Sequence, residues 1–301
     1  MNTFADALNR KFPEKKLIIP LMGGLGNQLF QFSFGLYLNK AHEIEISFTD
    51  ILLKSSRAGN MTRRSLAIGS LLDVDDLNKL TAAKYLMLET ADRMFDGVIA
   101  GEESTDSILP IKLTNRTRAA RGYFQNYKFP DFIKNELIEK ISSSSEFNIS
   151  RNLCTQKRIC VHMRYGDYAS NLQTRNFHGL TAVNYYVEQV QKLSQEFGIR
   201  SVLIVSDEAD RAFLEFSELL VDKDIEISVS AATSDQSDLS EIANSSIVVT
   251  SNSSFSWWGA WFANTIHNST IVCPDPWFAD SNMSNPHLIK PDWRTAKREF
   301  A

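Results

Sequence analysis

The sequence predicts an α/β fold built on parallel sheets, and two observations support that prediction. From residue 157 onward, short continuous apolar runs alternate with amphipathic segments of helical period. The first apolar run, over residues 17–22, ends in a glycine-rich turn that leads into a strongly apolar helical pattern. Apolar strands that alternate with helices are typical of a parallel sheet covered on both faces. Such sheets bind ligands at the carboxyl ends of their strands.

Length and composition indicate a globular protein of two ordinary domains. The chain has 301 residues, of which 43% are hydrophobic and 23% are charged, so it can build a substantial core. A formal net charge of −4 gives no support to a nucleic-acid partner. We place the domain boundary near residue 150, which gives domains over 1–150 and 151–301, with a C-terminal tail able to pack back on the first.

The sequence predicts a cytoplasmic protein. Its three cysteines, Cys154, Cys160 and Cys273, are odd in number and lack metal-like spacing, so we expect buried thiols and a reducing compartment. Residues 1–16 hold no apolar signal region, and no later run approaches the roughly eighteen apolar residues of a membrane span. A peripheral position at the inner face of the cytoplasmic membrane stays open.

The first half opens as a βαβ unit. Residues 17–22 form a strand, a helix follows the glycines, and residues 45–48 form a second strand. The stretch from 50 to about 150 is predicted to be mainly helical, with a serine-rich break at 142–145.

The second half is predicted to alternate regularly between strands and helices. The predicted strands are 158–163, 201–206, 225–229, 246–250 and 270–273, and the predicted helices are 181–195, 207–220, 234–244 and 254–263. Thr181 is a candidate N-cap, and 270–273 is interpreted as the last strand.

The first candidate motif is GGLGNQLF over residues 23–30. Glycines after a strand let a ligand approach the backbone, and a helix start offers free N–H groups to an anion. The motif is not a dinucleotide fingerprint, because Leu29 stands where the third glycine belongs if Gly24 and Gly26 are the first two. Asn27 and Gln28 favour a ligand site over a plain turn, which stays the alternative.

The second motif is HMRYGDY over residues 162–168. His162 and Arg164 lie two residues apart at the end of a strand and face the same side of an extended chain. The planar guanidinium of Arg164 suits a diphosphate, because its fork meets phosphate oxygens in pairs. The alternative is a structural ion pair between Arg164 and Asp167.

The third motif is SNSSFSWWGAW over residues 251–261. Small hydroxyls and free N–H groups where a helix begins form a phosphate cradle. The alternative for residues 251–254 is a helix cap alone. The helical spacing of Trp257, Trp258 and Trp261 indicates core packing rather than sugar contacts.

Two acidic features accompany these motifs. Asp207 and Glu208 follow a predicted strand and either support the site or face the nucleotide. Asp73, Asp75 and Asp76 resemble a metal-binding motif but suit a helix start equally well, and we interpret them as caps.

Together these blocks resemble the bacterial galactoside α-1,2-fucosyltransferases of glycosyltransferase family 11. The matching blocks, in family order, are GGLGNQLFQ (23–31), GYFQ (122–125), HMRYGDY (162–168), VSD (205–207), DL (238–239), SNSSFSWWGAW (251–261) and PDPW (274–277). The resemblance implies two Rossmann-like domains facing across a cleft (GT-B type), the first on the acceptor side and the second binding the donor.

The resemblance also implies a reaction. The expected activity is inverting transfer of L-fucose from GDP-fucose to the 2-hydroxyl of a terminal galactose, without a metal or other cofactor. The expected acceptor is a galactose-terminated glycan, such as an O-antigen unit or an oligosaccharide. Another GDP-sugar transferase and a noncatalytic nucleotide-sugar-binding protein stay open as alternatives, and an NAD-binding protein is disfavoured by Leu29.

The resemblance assigns roles residue by residue. Arg164 matches the arginine that holds the β-phosphate, and Asn27 matches an asparagine near the reacting bond. Asp167 is the candidate base, or it orients Arg164. The expected donor-binding residues are Gly24, Gly26, His162, Arg164, Asp238 at the guanine, Ser253 and Ser254 at phosphate, and Phe255 near the base. Where the family often has a second arginine this chain has Tyr165, so the diphosphate has one guanidinium fewer or relies on another basic residue.

Overall fold

The chain divides into two compact units. The computed structural model describes residues 16–54, 65–71, 99–100, 119–142, 147, 149 and 156–301. The two units are Met1–Ser143 and Ser144–Ala301. The structure confirms the predicted α/β class with parallel sheets, whereas the facing arrangement and the separate roles of the domains stay predictions.

The first unit contains the predicted strand, turn and helix. Its described elements are β1 (Lys16–Pro20), α1 (Leu25–His42), β2 (Glu45–Thr49), α2 (Ile51–Lys54), a 3₁₀ turn (Ile68–Ser70), β3 (Ile99–Ala100), β4 (Ala120–Arg121), α3 (Lys128–Phe132) and α4 (Lys134–Ser142). Strand β1 pairs in parallel with β2, β3 pairs in parallel with β4, and a parallel bridge joins Ile18 to Ala119. The two short strands β3 and β4 were not predicted.

Two buried glutamines of α1 tie the loops of the first unit together. Gln31 is fully buried; its Oε1 accepts from the Met22 N–H at 2.9 Å and its Nε2 donates to the Gly122 carbonyl at 2.9 Å. Gln28 is equally buried and bonds only to backbone groups, donating to the Gly23 and Ser65 carbonyls and accepting from the Ile68 N–H. Its polar side chain therefore holds these loops together, a role that the sequence interpretation did not give it.

The second unit alternates strands and helices almost throughout. Its elements are β5 (Gln156–Met163), α5 (Gly166–Ser170), α6 (Leu172–His178), α7 (Val183–Phe197), β6 (Ser201–Ser206), α8 (Ala209–Leu219), β7 (Glu226–Val229), α9 (Asp235–Ala243), β8 (Ser245–Val249), α10 (Ser254–His267), β9 (Thr270–Asp275) and β10 (Arg294–Lys297).

The six described strands of the second unit form one parallel sheet in the order β10-β9-β8-β5-β6-β7. The chain starts in the middle at β5, builds one half of the sheet outward to β7, crosses back to β8 and builds the other half. This is the order of a Rossmann fold, and β5 and β8 are the neighbours at which the direction of winding reverses.

Helix α10 anchors the core of this unit. Trp257, Trp258, Trp261 and Phe262 are each 0% exposed, which confirms the core role predicted for the three tryptophans. The Cys160 and Cys273 thiols are free and buried, as predicted, while Cys154 lies outside the described residues. Within the described part of the chain, no helix combines the length and apolar character that crossing a membrane requires.

The structure corrects two local predictions in the second unit. Thr181 does not cap a helix: α7 begins at Val183 after Ala182, and Thr181 instead bridges to Phe300. The strand β9 is not the last, because β10 in the C-terminal tail adds to the edge of the sheet beside β9. The short polar sequence of β10 gives no apolar strand signal, which explains the omission.

We expect Gln31→Leu to destabilise the protein by about 2–4 kcal/mol, because it leaves the Met22 N–H and the Gly122 carbonyl without their partner. Tyr37→Phe on the same helix is the matched control. The Tyr37 hydroxyl is buried and has no hydrogen-bond partner among the residues that the structure describes, so its removal should leave stability unchanged or raise it. Urea denaturation of both variants measures the difference; equal stabilities would contradict the role given to Gln31.

Candidate functional site

The reversal point of the sheet gathers the second and third sequence motifs. Arg164 follows the last residue of β5, and Thr250 follows the last residue of β8. Because β5 and β8 are parallel neighbours, their carboxyl ends lie side by side. Loops that leave this point in opposite directions open the crevice in which Rossmann-like sheets bind ligands.

Two carboxylates hold the guanidinium of Arg164. Its Nη2 donates to Asp167 Oδ1 at 2.8 Å, and its Nη1 lies 2.7 Å from Asp207 Oδ2. Burial alone would lower the pKa of Arg164, but the carboxylates of Asp207 and Asp167 outweigh it and raise that pKa. The three side chains keep 25–30% of their surface exposed. The site therefore presents a cation of fixed orientation that solvent and a ligand can still reach.

Gly166 makes room for this ion pair. Its φ of +35° is a conformation that side-chain-bearing residues rarely adopt. A Cβ at this position would lie 2.6 Å from Asp207 Oδ2 and 3.1 Å from Arg164 Nη2. Glycine is thus required here both by the backbone and by the approach of Arg164 to Asp207.

Tyr165 points away from the site. Its ring is 3% exposed, its hydroxyl donates to Glu215 Oε2 at 2.8 Å, and the guanidinium carbon of Arg211 lies 4.2 Å from the ring centroid. Its backbone N–H donates to Asp207 Oδ1 at 2.9 Å. Tyr165 therefore anchors the loop to α8 and does not replace the second arginine of related sequences.

The serine-rich turn after β8 (residues 250–254) lies beside the Arg164 loop (residues 164–168, which include the start of α5). Ser253 caps α10, its hydroxyl accepting from the Phe255 N–H at 3.3 Å, and Ser254 is the first helical residue. The hydroxyl of Tyr168, which belongs to the Arg164 loop, donates to the Asn252 carbonyl at 3.3 Å. The structure thus brings the two motifs together at the ends of two neighbouring strands.

His162 links the two strands from behind this surface. Its Nδ1 lies 3.0 Å from Ser251 Oγ, and its ring centroid lies 5.3 Å from that of Phe255. Burial, with a smaller contribution from the Arg164 charge, lowers the pKa of His162 to about 3. The imidazole is therefore neutral near pH 7, and it is 4% exposed. Its predicted contact with the donor stays a prediction.

Asp238 lies at a different strand end. It belongs to the first turn of α9, and its Oδ1 accepts from the hydroxyl of Ser230, which follows β7. Burial raises the pKa of Asp238. The contacts of Asp238 thus join it to the end of β7 and not to Arg164 or the serine-rich turn.

The glycine turn of the first unit presents Asn27. Helix α1 begins at Leu25 with Gly24 as its N-cap, so Gly26 lies inside the first turn and is buried. Asn27 Oδ1 accepts from Gln125 Nε2 at 2.9 Å, which fixes the orientation of the Asn27 amide. Gln125 was part of a matching block, yet sequence reasoning gave it no role.

The acidic residues that the sequence analysis singled out fall into two groups. Asp207, predicted either to support the site or to face the nucleotide, supports it by pairing with Arg164. Asp73, Asp75 and Asp76 lie outside the described residues. Among the residues that the structure describes, no cluster of three or more His, Cys, Asp or Glu side chains could hold a metal ion.

The model of one known family matches most of the chain. Glycosyl transferase family 11 matches over residues 99–297, which include the Arg164 loop and the serine-rich turn. The chain belongs to glycosyl transferase family 11. The resemblance seen in the sequence is confirmed at this level, and the protein is a glycosyltransferase.

Two curated relatives align with nearly the whole length of this chain. An alpha-1,2-colitosyltransferase of Escherichia coli is 25% identical over 294 residues, covering 89% of this chain and 94% of that protein. The O-antigen biosynthesis glycosyltransferase WbnK of Escherichia coli is 26% identical over 314 residues, covering 88% and 95%. A solved structure of POFUT1 in complex with GDP-fucose aligns with a TM-score of 0.46 at 15% identity, covering 86% of this chain and 97% of that one.

We expect Gly166→Ala to abolish most transferase activity, because the added methyl group forces Arg164 and Asp207 apart. The matched control is Gly198→Ala, since Gly198 also has a positive φ, of 66°, but no atom lies within 4 Å of its Cβ position. Both variants should lose roughly 1 kcal/mol of stability to backbone strain. Only Gly166→Ala should lose activity; equal activities in the two variants would contradict this account.

Proposed function

We propose that this enzyme transfers L-fucose from GDP-fucose to the 2-hydroxyl of a terminal galactose, with inversion at the sugar and without a metal. The observation that carries the proposal is the pairing of an oriented guanidinium with a helix N-terminus at the reversal point of a Rossmann-type sheet. A departing nucleoside diphosphate needs positive charge placed where its own negative charge grows. The directed N–H groups of Arg164 and the partial positive charge at the start of α10 together offer such stabilisation.

The reaction is a single displacement. The acceptor oxygen forms a bond to C1 of fucose while the bond from C1 to the phosphate oxygen breaks and GDP departs. The proton of the acceptor hydroxyl goes to a carboxylate of the enzyme or to water. The sugar passes through an oxocarbenium-like state as its bond to the phosphate oxygen breaks, so negative charge develops on the diphosphate. Stabilising that charge is the largest demand on the enzyme.

The proposed donor contacts follow from the two strand ends. Arg164 donates to the β-phosphate, and the start of α10, with Ser253 and Ser254, receives phosphate oxygens. Phe255 lies near the base, and Asp238 accepts from guanine. His162 supports the turn through Ser251. A guanidinium already held by two carboxylates loses little freedom on binding, which favours a tight, directional phosphate contact.

The glycine turn supplies the second group of contacts. Gly24 has φ −78° and ψ −178°, a conformation open to any residue, and no atom of another described segment lies within 4 Å of its Cβ position. Neither the backbone nor packing among the described residues demands glycine there, whereas a ligand approaching the main chain would. Asn27, oriented by Gln125, is proposed to contact the substrate near the reacting bond, and Gly26 keeps the first turn open.

The curated relatives support the linkage and the acceptor. One is named an alpha-1,2-colitosyltransferase and the other an O-antigen biosynthesis glycosyltransferase. We therefore propose an α-1,2 linkage and an O-antigen unit as acceptor, on the cytoplasmic side of the membrane. The first name also favours a second candidate donor, GDP-colitose, whose sugar lacks the 3-hydroxyl of fucose.

The proposal is tested by incubating the enzyme separately with GDP-fucose, GDP-colitose and GDP-mannose, each with lactose as a galactoside acceptor. We expect GDP release and an α-1,2-fucosylated product from GDP-fucose, unchanged by EDTA. A product only from GDP-colitose would replace the donor but keep the linkage. Binding of GDP-fucose without transfer to any galactoside would favour a noncatalytic binding protein and reject the proposal.

Arg164→Lys should keep the fold and lower kcat about 10²–10³-fold, because a point charge replaces a fork aimed at the departing phosphate. The control is Arg200→Lys, since Arg200 forms an exposed ion pair with Asp222 on the surface. Activity is measured as GDP release, and folding by the melting temperature. Near-normal turnover in a folded Arg164→Lys protein would remove Arg164 from the mechanism.

Asp167 has two proposed roles that a pH–rate profile separates. Its hydrogen bond to Arg164 supports an orienting role, so we expect Asp167→Asn to lower kcat while the acidic limb of the profile persists. Asp207→Asn is the matched control, because Asp207 holds the same guanidinium. Loss of the acidic limb in Asp167→Asn alone would instead make Asp167 the base that takes the acceptor proton.

A further inference from the structure

Arg298 is a buried cation at the carboxyl edge of the second sheet. It is the first residue after β10 and is 3% exposed. Its Nε donates to the Pro276 carbonyl at 2.6 Å, its Nη1 donates to Thr181 Oγ1 at 2.7 Å, and its Nη2 donates to the His178 and Trp277 carbonyls at 2.8 and 2.9 Å. One guanidinium thus joins the segments that follow α6 and β9.

No carboxylate of the described chain pairs with Arg298. All of its hydrogen-bond partners are neutral oxygens, and its guanidinium carbon lies 4.4 Å from the Phe300 ring centroid. Burial lowers the pKa of Arg298 to about 10, which still leaves the group charged at pH 7. A buried charge without a counter-charge is costly, and its field is poorly screened. A purely structural clamp could use neutral donors and avoid that cost.

Hydrogen bonds link Arg298 to the serine-rich turn. Asn252 Nδ2 donates to the same two carbonyls, of His178 at 2.7 Å and Trp277 at 3.2 Å. Thr181 Oγ1, which accepts from Arg298, donates onward to Asn252 Oδ1 at 3.2 Å. Asn252 immediately precedes Ser253, the cap of α10. Arg298 is therefore two hydrogen bonds away from the proposed phosphate cradle.

The same cation also supports the Arg164 loop. The backbone carbonyl of His178 accepts from Arg298. The His178 ring stacks on the Tyr168 ring, with centroids 4.8 Å apart and an angle of 6° between the ring planes. The guanidinium carbon of Arg164 lies 6.0 Å from the centroid of that Tyr168 ring. Arg298 thus connects, through neutral groups, to both components of the site.

We propose that Arg298 is a positioning residue of the donor site, whose buried positive charge favours a nucleoside diphosphate over the uncharged nucleoside. This rests on the proposed function, because it assumes that the donor's diphosphate lies at the serine-rich turn. This chain has Tyr165 where the family often has a second arginine, and Arg298 supplies that second positive charge. At an effective dielectric near 20, a unit charge changes the affinity for an anion by roughly tenfold or more at separations up to roughly 10 Å.

The test compares binding of GDP and guanosine to the full chain by calorimetry. We expect Arg298→Gln to lower the ratio of GDP affinity to guanosine affinity roughly tenfold, because only the diphosphate feels the lost charge. Arg294→Gln is the matched control: it removes the same charge from β10, but Arg294 is half exposed and pairs with Glu196. Its ratio should equal that of the unmodified enzyme. An unchanged ratio in Arg298→Gln would overturn the proposal, even if its melting temperature falls.

Arg298→Lys keeps the inference testable if Arg298→Gln does not fold. The lysine retains the charge but loses the fork, so we expect a lower melting temperature and a GDP-to-guanosine ratio within about threefold of the original. A roughly tenfold fall in the ratio of GDP affinity to guanosine affinity in folded Arg298→Lys would overturn a role for the charge. If the unmodified enzyme prefers UDP or ADP, the guanine assignment fails and the comparison is made with that nucleotide. If it binds no nucleoside diphosphate, the proposed function fails and the Arg298 proposal fails with it.

Discussion

The ion pairs that hold Arg164 between Asp167 and Asp207 are the interaction on which the rest of the site depends. A free arginine side chain has many rotamers, and its fork recognises phosphate only in a few of them. Two carboxylates from different loops restrict the guanidinium to one orientation. That arrangement favours glycine at position 166, because a Cβ there would lie 2.6 Å from Asp207 Oδ2. It also gives Asp207 a second task, since its other oxygen accepts from the Tyr165 N–H and turns the chain after β5.

The sequence predicted the strand ends better than the contacts made there. Parallel strands place their carboxyl ends along one edge, so the sequence places the Arg164 loop and the serine-rich turn at the same edge of the sheet. The pairing of Arg164 with Asp207 needed one more fact, the register of β5 on β6. Met163 lies opposite Ser206 in that register, and the next residues are therefore Arg164 and Asp207. Hydrophobic patterns indicate which segments are strands but do not specify how two strands align.

Other parts of the site carry no sequence signal of their own. Gln28 looked like a ligand-binding side chain because it follows a glycine turn, yet the buried backbone groups around it engage both of its N–H donors and also donate to its oxygen. Arg298 lies in a polar tail with no flanking motif, and only the sheet edge formed by β10 brings it beneath the turn. Both cases depend on contacts between segments far apart in the chain, which local patterns do not encode.

The charge balance at the edge of the sheet limits how a diphosphate could bind. Arg164 with its two carboxylates carries one more negative charge than positive, so this group alone would repel an anion at a distance and attract it only through directed N–H groups. The start of α10 adds a partial positive charge. Arg298 adds a whole one, and the neutral oxygens around it leave that charge uncompensated within the described chain. An anion can therefore be drawn to the serine-rich turn while Arg164 determines its orientation. Arg164 therefore sets the orientation of the bound anion, and the buried Arg298 supplies the positive potential that attracts it.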